Sequence, residues 1–464
     1  MSNTVADIAV TGGVVVNSRE MKQADVYITD GLVDGVEPPD SGRQAKRTID
    51  AGGRLVLPGI IDAHLHPVYA DRIDTLSQAA VWGGITTLVP YVGAVKAWGM
   101  EGGLVGAIDT FIEEGETSSV IDFGYHCSLV GENIETIAET MPKLIDAGVT
   151  SFKGFMTYAR RGMLLSDEEL LQVMELVTEH GALFAVHAEN GPLVDYLEDK
   201  FIAEGKETPE YYLPSHPNIA EAEAVFRALT LASAVGCPMY LPHLTCKESL
   251  EVVRLFRQWG APSPLFAETC THFLTLTDAE MTRRGSLAKV GPPLRQQDDI
   301  EALWQGVDEG TIDVVASDSG GPMMEKKEPL FEKVFQAPFG FPGQETMFTV
   351  TYDEGINHGR VTLPRLVQVT TENPARIFGL YPQKGVLEKG SDADLVIFDP
   401  SVRHKVEAAN QHVKIDYTMY EGRECLGAPV LVMQRGKVLL EDGEFKATPG
   451  QGKFLPRKLI SHSE

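Results

Sequence analysis

The chain has 464 residues, of which 43% are hydrophobic and 23% charged, and its formal charge is −26. That length exceeds one ordinary core and suggests about three domains, or one barrel of about 250 residues with additions. The acidic balance argues against a nucleic acid or an anionic membrane as partner, and no apolar run approaches the ~20 residues that span a bilayer. Met1–Ala9 carries no basic stretch followed by an apolar one, so no signal peptide is expected. The five cysteines (Cys127, Cys237, Cys246, Cys270, Cys425) are irregularly spaced and include no C-x-x-C pair, which points to a reducing cytoplasm and not to a disulfide framework.

Residues 1–54 alternate in short bursts, such as Gly13-Val14-Val15-Val16 and Asp25-Val26-Tyr27-Ile28, punctuated by Gly12-Gly13, Asp30-Gly31 and Gly52-Gly53. These hairpin signals predict a small antiparallel unit. From 55 to 384 the texture changes: apolar runs recur near 57–62, 85–91, 121–130, 149–156, 182–188, 238–243, 265–274 and 312–317, and most gaps carry helical periodicity. One gap opens on Ser166 with Glu169 three residues on, a capping box that predicts a helix start. Buried-strand runs alternating with helices in this number predict an α/β fold, a (β/α)8 TIM-type barrel. Two long connections, 190–220 and 319–345, read either as pocket-shaping loops or as oligomer contacts. Residues 385–445 return to the hairpin texture, so 1–54 and 385–445 are expected to pair into one small β-sandwich. The tail 446–464 lies beyond both units, a place where chain ends are often disordered.

Metal-capable side chains sit in or at the end of five of these runs. Ile60–His66 closes on His64 and His66, Ser151–Met156 holds Lys153, Leu183–Glu189 holds His187, Met239–His243 closes on His243, and Val314–Asp318 closes on Asp318. A strand alternates faces with period two, so His64 and His66 point the same way. Active sites of (β/α)8 barrels lie at C-terminal strand ends, where all six residues fall. Imidazoles, a carboxylate and a lysine gathered there are what a hydrolytic two-metal centre needs, so the chain reads as a metallohydrolase. His126 and His272 fall inside runs and read as core or supporting groups. His180 precedes Gly181 at a helix end, where a cation suits the dipole. His216, in the connection after the fifth run, reads as either solvated or functional.

The stretches Pro58–His66, Phe152-Lys153 and Val186-His187-Ala188-Glu189-Asn190 resemble the amidohydrolase superfamily, and within it the cyclic-amidase branch of hydantoinases, dihydropyrimidinases and allantoinases. Glu268–His272, Lys289–Arg295, Glu372–Ala375 and Gly390–Leu395 extend the likeness over nearly the whole chain. The resemblance implies a metal-dependent hydrolase that opens cyclic amides or ureides with a hydroxide held between two divalent cations, typically zinc. It implies that His64 and His66 hold one ion with Asp318, that His187 and His243 hold the other, and that Lys153 bridges both as an N6-carboxylysine formed with CO2. The apolar surroundings of Lys153 favour the neutral amine this requires. Asp318 would take the proton of the attacking water and return it to the leaving amide nitrogen. Tyr158 matches the tyrosine of the dihydropyrimidinase and D-hydantoinase pattern, whose hydroxyl donates to the developing oxyanion; a loop aromatic packed against Met163 is the other reading. Gly291 stands where family members hold the ring imide, often through a serine, so only main-chain hydrogen bonds carry over. A homo-oligomer, tetramer or dimer, with the tail packed on a neighbouring subunit, is also implied.

The chain departs from this pattern in places. Ser317-Asp318 is followed by Ser319-Gly320-Gly321, where many relatives have a histidine, which alters the pocket wall but no ligand. Phe339-Gly340 stands where hydantoinases often place an asparagine, which points to an apolar or aromatic substituent on the substrate. Lys327-Glu328-Pro329 leans toward L-hydantoinases and allantoinases, Tyr158 toward dihydropyrimidinases. The alternatives are an allantoinase or dihydropyrimidinase, an imide or linear-amide hydrolase, and a catalytically silent scaffold relative. The six filled ligand positions favour an enzyme.

Overall fold

The structure, a computed structural model, describes residues 5–39, 41–100, 102–262 and 264–459. The N-terminal segment forms β1 (Ala6–Val16), β2 (Met21–Thr29), β3 (Leu32–Glu37), β4 (Ala45–Asp50) and β5 (Leu55–Pro58). The middle of the chain forms β6 (Ile60–Asp62), β7 (Ile85–Leu88), β8 (Tyr91–Val92), β9 (Asp122–Phe123), β10 (His126–Ser128), β11 (Ser151–Phe155), β12 (Leu183–His187), β13 (Met239–Leu241), β14 (Leu265–Cys270) and β15 (Val314–Ala316). β16 (Leu395–Lys405), β17 (Glu424–Gln434), β18 (Lys437–Glu441) and β19 (Glu444–Phe445) end it.

The middle strands pair in parallel, β6 with β7 and β9 in one sheet, and β8 with β10 through β15 in another. β7 continues into β8, and β9 into β10, each across a short break, so the two sheets are staves of one barrel. The first and last staves close it. Leu65 and Ser319 form a parallel bridge, the His66 amide donates to the Ser319 carbonyl at 2.8 Å, and the Asp62 carboxylate accepts from the Ser317 amide and hydroxyl at 3.1 and 2.5 Å. The fold is thus a (β/α)8 barrel. β11 and β12 are buried along their whole length, which is why their sequences read as near-continuous apolar runs. The predicted capping box is in place: the Ser166 hydroxyl accepts from the Glu169 amide at 3.2 Å, and the Glu169 carboxylate accepts from the Ser166 amide at 2.7 Å, opening the helix Asp167–His180.

Strands from the two chain ends make the second unit, in the order β19-β18-β17-β16-β5-β1-β2-β3, with β4 on β1. Val10, Val26, Ile28, Val56, Leu395, Ile397 and Leu431 share a core of their own there. β5 belongs to this sheet, between β1 and β16, and not to the barrel run in which the apolar stretch from 57 suggested it. Gly59 makes the crossing possible, because a Cβ there would collide with the Thr86 side chain.

Three sequence expectations change. The connection 190–220 is largely helical: Gly191–Ala203 is a helix whose N-cap Asn190 accepts from the Leu193 amide at 3.0 Å, with Pro in its first turn. His216 is buried, and its carbonyl accepts from the Arg295 guanidinium. The tail docks on its own barrel, where the Phe123 amide donates to the Lys453 carbonyl at 3.0 Å, the Leu455 amide donates to the Phe123 carbonyl at 2.7 Å, and the buried Arg457 guanidinium reaches the Ser151 hydroxyl at 2.9 Å. An edge amide and carbonyl on β9 offered those partners within the subunit. Residues 460–464 of the tail lie outside the described residues.

Candidate metal centre and substrate pocket

The six residues expected at strand ends converge. His64 and His66 follow β6, Lys153 lies in β11, His187 ends β12, His243 follows β13 and Asp318 follows β15. The Nε2 atoms of His64 and His66 each lie 3.1 Å from Oδ1 of Asp318, and Lys153 Nζ lies 3.3 Å from Nε2 of His64. The His243 ring centroid is 4.5 Å from that of His187 and 5.2 Å from that of His64. His66, Lys153, His187, His243 and Asp318 face one cavity of about 510 Å³. Asp62 sets this geometry: its carboxylate ties β6 to Ser317 and so brings His64 and His66 against Asp318. His243 and Asp318 sit at φ 43° and 46°, in the left-handed region that costs a non-glycine residue on the order of 1–3 kcal/mol. Both turn sharply off their strands into the barrel mouth.

Carboxylates behind the imidazoles fix which nitrogen faces the centre. Glu268 Oε1 accepts from His64 Nδ1 at 2.6 Å, which leaves the Nε2 lone pair pointing inward. Glu189 Oε2 accepts from His187 Nε2 at 2.7 Å and leaves Nδ1 free. Glu268 also accepts from the Tyr240 hydroxyl at 2.6 Å and the His243 amide at 2.9 Å. Glu268 thus holds the His64 ring and the His243 backbone, and Tyr91 also supports the cluster: its ring packs 4.6 Å from His64 and lies 4.1 Å from Lys153 Nζ. Sequence reasoning gave neither a role. A carboxylate inside the buried run Leu265–Cys270 was a usable signal, since a buried charge requires partners.

Electrostatics match a cation site. Burial pushes the Lys153 amine down to about 8, despite the opposing Asp318 and Glu268 carboxylates. Burial also lowers His66, to about 4. Burial disfavours the charge on His64, yet Glu268 and Asp318 outweigh it and raise the imidazole. Burial likewise opposes ionisation of Asp318, which His64 and His66 overcome, holding it well below the usual carboxylate range. Among the described residues Nε2 of His243 and Nδ1 of His66 are buried without a hydrogen-bond partner, and such orphans call for a ligand. The nitrogen and carboxylate donors suit zinc-like divalent ions, and the residues fit the group.

The remaining expected residues line the same cavity. Tyr158, at φ 66°, packs its ring 4.9 Å from His187 and 5.3 Å from Phe339, and its carbonyl accepts from the Met163 amide at 3.2 Å. A Cβ on Gly291 would collide with the Tyr158 hydroxyl, so glycine at 291 makes room for that hydroxyl in the pocket. Among the described residues the Gly291 amide and carbonyl have no protein partner. The Gly320 Cα lies so near His66 that a Cβ there would fall 2.9 Å from the His66 Cβ. His126 is buried and its Nδ1 lies 2.5 Å from the Ser151 hydroxyl, in a structural role behind β6.

Fold and cluster together define a barrel hydrolase with a metal-binding mouth. The profile described as the Amidohydrolase family matches residues 55–439. The chain is 38% identical to a D-hydantoinase of Ralstonia pickettii, over 97% of this chain and 99% of that one, and 34% identical to an L-hydantoinase of Paenarthrobacter aurescens, over 97% and 98%. A solved D-hydantoinase structure superposes with a TM-score of 0.92 at 37% identity, covering 98% of this chain and 100% of that one. The chain belongs to the amidohydrolase family.

Proposed function

We propose that the chain is a metal-dependent hydrolase that opens hydantoin-like cyclic amides at a ring C–N bond. The supporting observation is the convergence of His64, His66, Lys153, His187, His243 and Asp318 in one pocket, in a family member whose relatives are named hydantoinases. His64 and His66 with Asp318 would hold one divalent ion and His187 with His243 the other, zinc being the ion we assign. Lys153 would join them after its neutral amine adds CO2, a step that forms an N–C bond, releases a proton and yields an anionic two-oxygen bridge. When bound, the ions supply Lewis acidity at the scissile carbonyl and a nucleophile from water at neutral pH.

The chain's own groups do the rest. Asp318 accepts the proton of the attacking water and delivers it to the ring nitrogen as the C–N bond breaks, because an unprotonated amide nitrogen leaves poorly. The net change is addition of one water, giving a carboxylate and a ureido or amide group. The Tyr158 hydroxyl donates to the oxygen on which negative charge develops; burial pushes its acidity far down, so it stays a donor. The Gly291 amide and carbonyl orient the ring imide.

Among the described residues no helix is long and apolar enough to cross a membrane. The five cysteines are buried and free, which supports the reading of a reducing cytoplasm. With the tail engaged in its own barrel, a dimer or tetramer would be built on other surfaces, and light scattering measures it. The deciding test is ring opening of hydantoin, dihydrouracil, allantoin and phthalimide by protein prepared with zinc and bicarbonate. Hydantoin turnover with about two ions per chain is expected. No turnover of any panel member by protein that holds its ions refutes the reading.

A further inference from the structure

A second cavity, of about 1030 Å³, adjoins the first and shares Tyr69, Tyr158, Arg161 and Phe339 with it as a common wall. Its charges are unevenly matched. Arg160 takes up the carboxylates that face it, Glu198 at 3.3 Å and Asp195 at 3.5 Å, and reaches Asp199 at 2.7 Å. Arg161 and Lys289 are left over. Among the described residues neither makes an ion pair within 4.0 Å, and Lys289 Nζ donates only to the Phe335 carbonyl, at 3.2 Å. Both stand over the Phe339 ring, 5.7 and 4.3 Å from its centroid. Glu198 acts on Lys289 only through space, and Arg161 repels it; burial first, and then that repulsion, bring the Lys289 ammonium down to about 8. In a chain with 66 acidic residues against 40 basic ones, cations find partners easily. Two left unpaired on one cavity wall, one of them buried, are a standing demand for an anion.

We infer that this cavity receives the far end of the substrate, and that the preferred substrates are 5-substituted hydantoins whose short alkyl substituent ends in a carboxylate bound by Arg161 and Lys289. The inference rests on the ring-opening reading and deepens it. With the ring at the metal centre, a substituent that extends past the shared wall of Tyr69, Tyr158, Arg161 and Phe339 leaves the first cavity and enters the second. Val194, Ala337 and Pro338 there cover methylene groups, and the two cations meet the terminal charge. Phe339, whose presence in place of a polar residue suggested an apolar substituent, is instead the platform on which both cations rest.

The test compares kcat/KM for 5-(2-carboxyethyl)hydantoin with that for its neutral isostere, 5-(2-carbamoylethyl)hydantoin, in the metal-loaded full chain. The acid is expected to be preferred about tenfold or more, chiefly through KM, and the preference to shrink as salt is raised. Arg161→Gln and Lys289→Gln are each expected to bring the ratio toward one. Because the ratio is taken within each variant, it is independent of the fraction that folds. A wild-type ratio of one or less, a ratio untouched by both substitutions, or failure to open either compound while hydantoin itself is opened overturns the inference. Failure with every cyclic amide overturns the ring-opening reading beneath it.

Discussion

Glu268 offers the sharpest test of how the centre is held. Its fully buried carboxylate accepts from His64 Nδ1 at 2.6 Å, from the Tyr240 hydroxyl at 2.6 Å and from the His243 amide at 2.9 Å. Glu268→Gln keeps the shape and one oxygen but removes the charge that fixes the His64 tautomer. Losing such a carboxylate behind a metal-binding imidazole costs about 10–100-fold in metal affinity, or about 1.4–2.7 kcal/mol. Glu268→Ala removes the acceptor of all three hydrogen bonds; at about 1–3 kcal/mol per orphaned buried group the total is about 3–9 kcal/mol, enough to compromise folding. Zinc retained after dialysis against graded chelator, alongside the thermal midpoint of metal-free protein, separates the two effects. The glutamine variant should fold, release zinc at roughly tenfold weaker chelation, and regain activity in excess zinc. A folded glutamine variant with wild-type zinc affinity would refute the supporting role of Glu268.

Lys153→Ala should strip metal and abolish turnover, with partial recovery on adding a short carboxylic acid that supplies the missing oxygens; undiminished activity would exclude the bridging role. Tyr158→Phe should lower kcat by about 10²–10³ with little change in metal content, as expected for one oxyanion donor; a change confined to KM would assign the ring to binding alone. Burial raises the Glu198 carboxyl from 4.5 to about 7, outweighing the Lys289 charge first and then its pair with Arg160. The folded state therefore binds this proton more tightly than the unfolded chain. Its contribution to stability is full below about 4.5 and lost as pH rises through about 7. Glu198→Gln should flatten the pH dependence of the thermal midpoint across that window, and a parallel shift at all pH values would contradict this. Deleting residues 453–464 removes two backbone hydrogen bonds to β9 and the burial of Leu455 and Arg457. At about 1 kcal/mol per bond and about 2 for the leucine, several kcal/mol should go, with the subunit number in light scattering unchanged; loss of assembly without loss of stability would return the tail to an interface.

The convergence of the six side chains was legible in the sequence because its information is local. Each of Ile60–His66, Leu183–His187 and Val314–Asp318 carries in a few residues both the apolar run that makes a buried stave and the polar group at its C-terminal end. Period two then places His64 and His66 on one side, and alternation of runs with helices selects the barrel. Which strand edges and side-chain atoms meet across distant segments was not legible. Leu55–Pro58 is as apolar as a barrel stave, and only pairing with β1 and β16 moves it to the other sheet. The roles of Glu268 and Asp62 depend on which atoms of His64, Tyr240 and Ser317 lie across a strand gap, which linear spacing does not encode. The tail's partner, an unpaired edge of β9, exists only once the barrel is closed. Whether Arg161 and Lys289 are neutralised is likewise a question of three-dimensional distance: ion pairing falls off over a few ångströms, and neighbours within that range come from every part of the chain. Side-chain type and strand order are written along the backbone, whereas burial, pairing and unspent charge arise only when the segments meet.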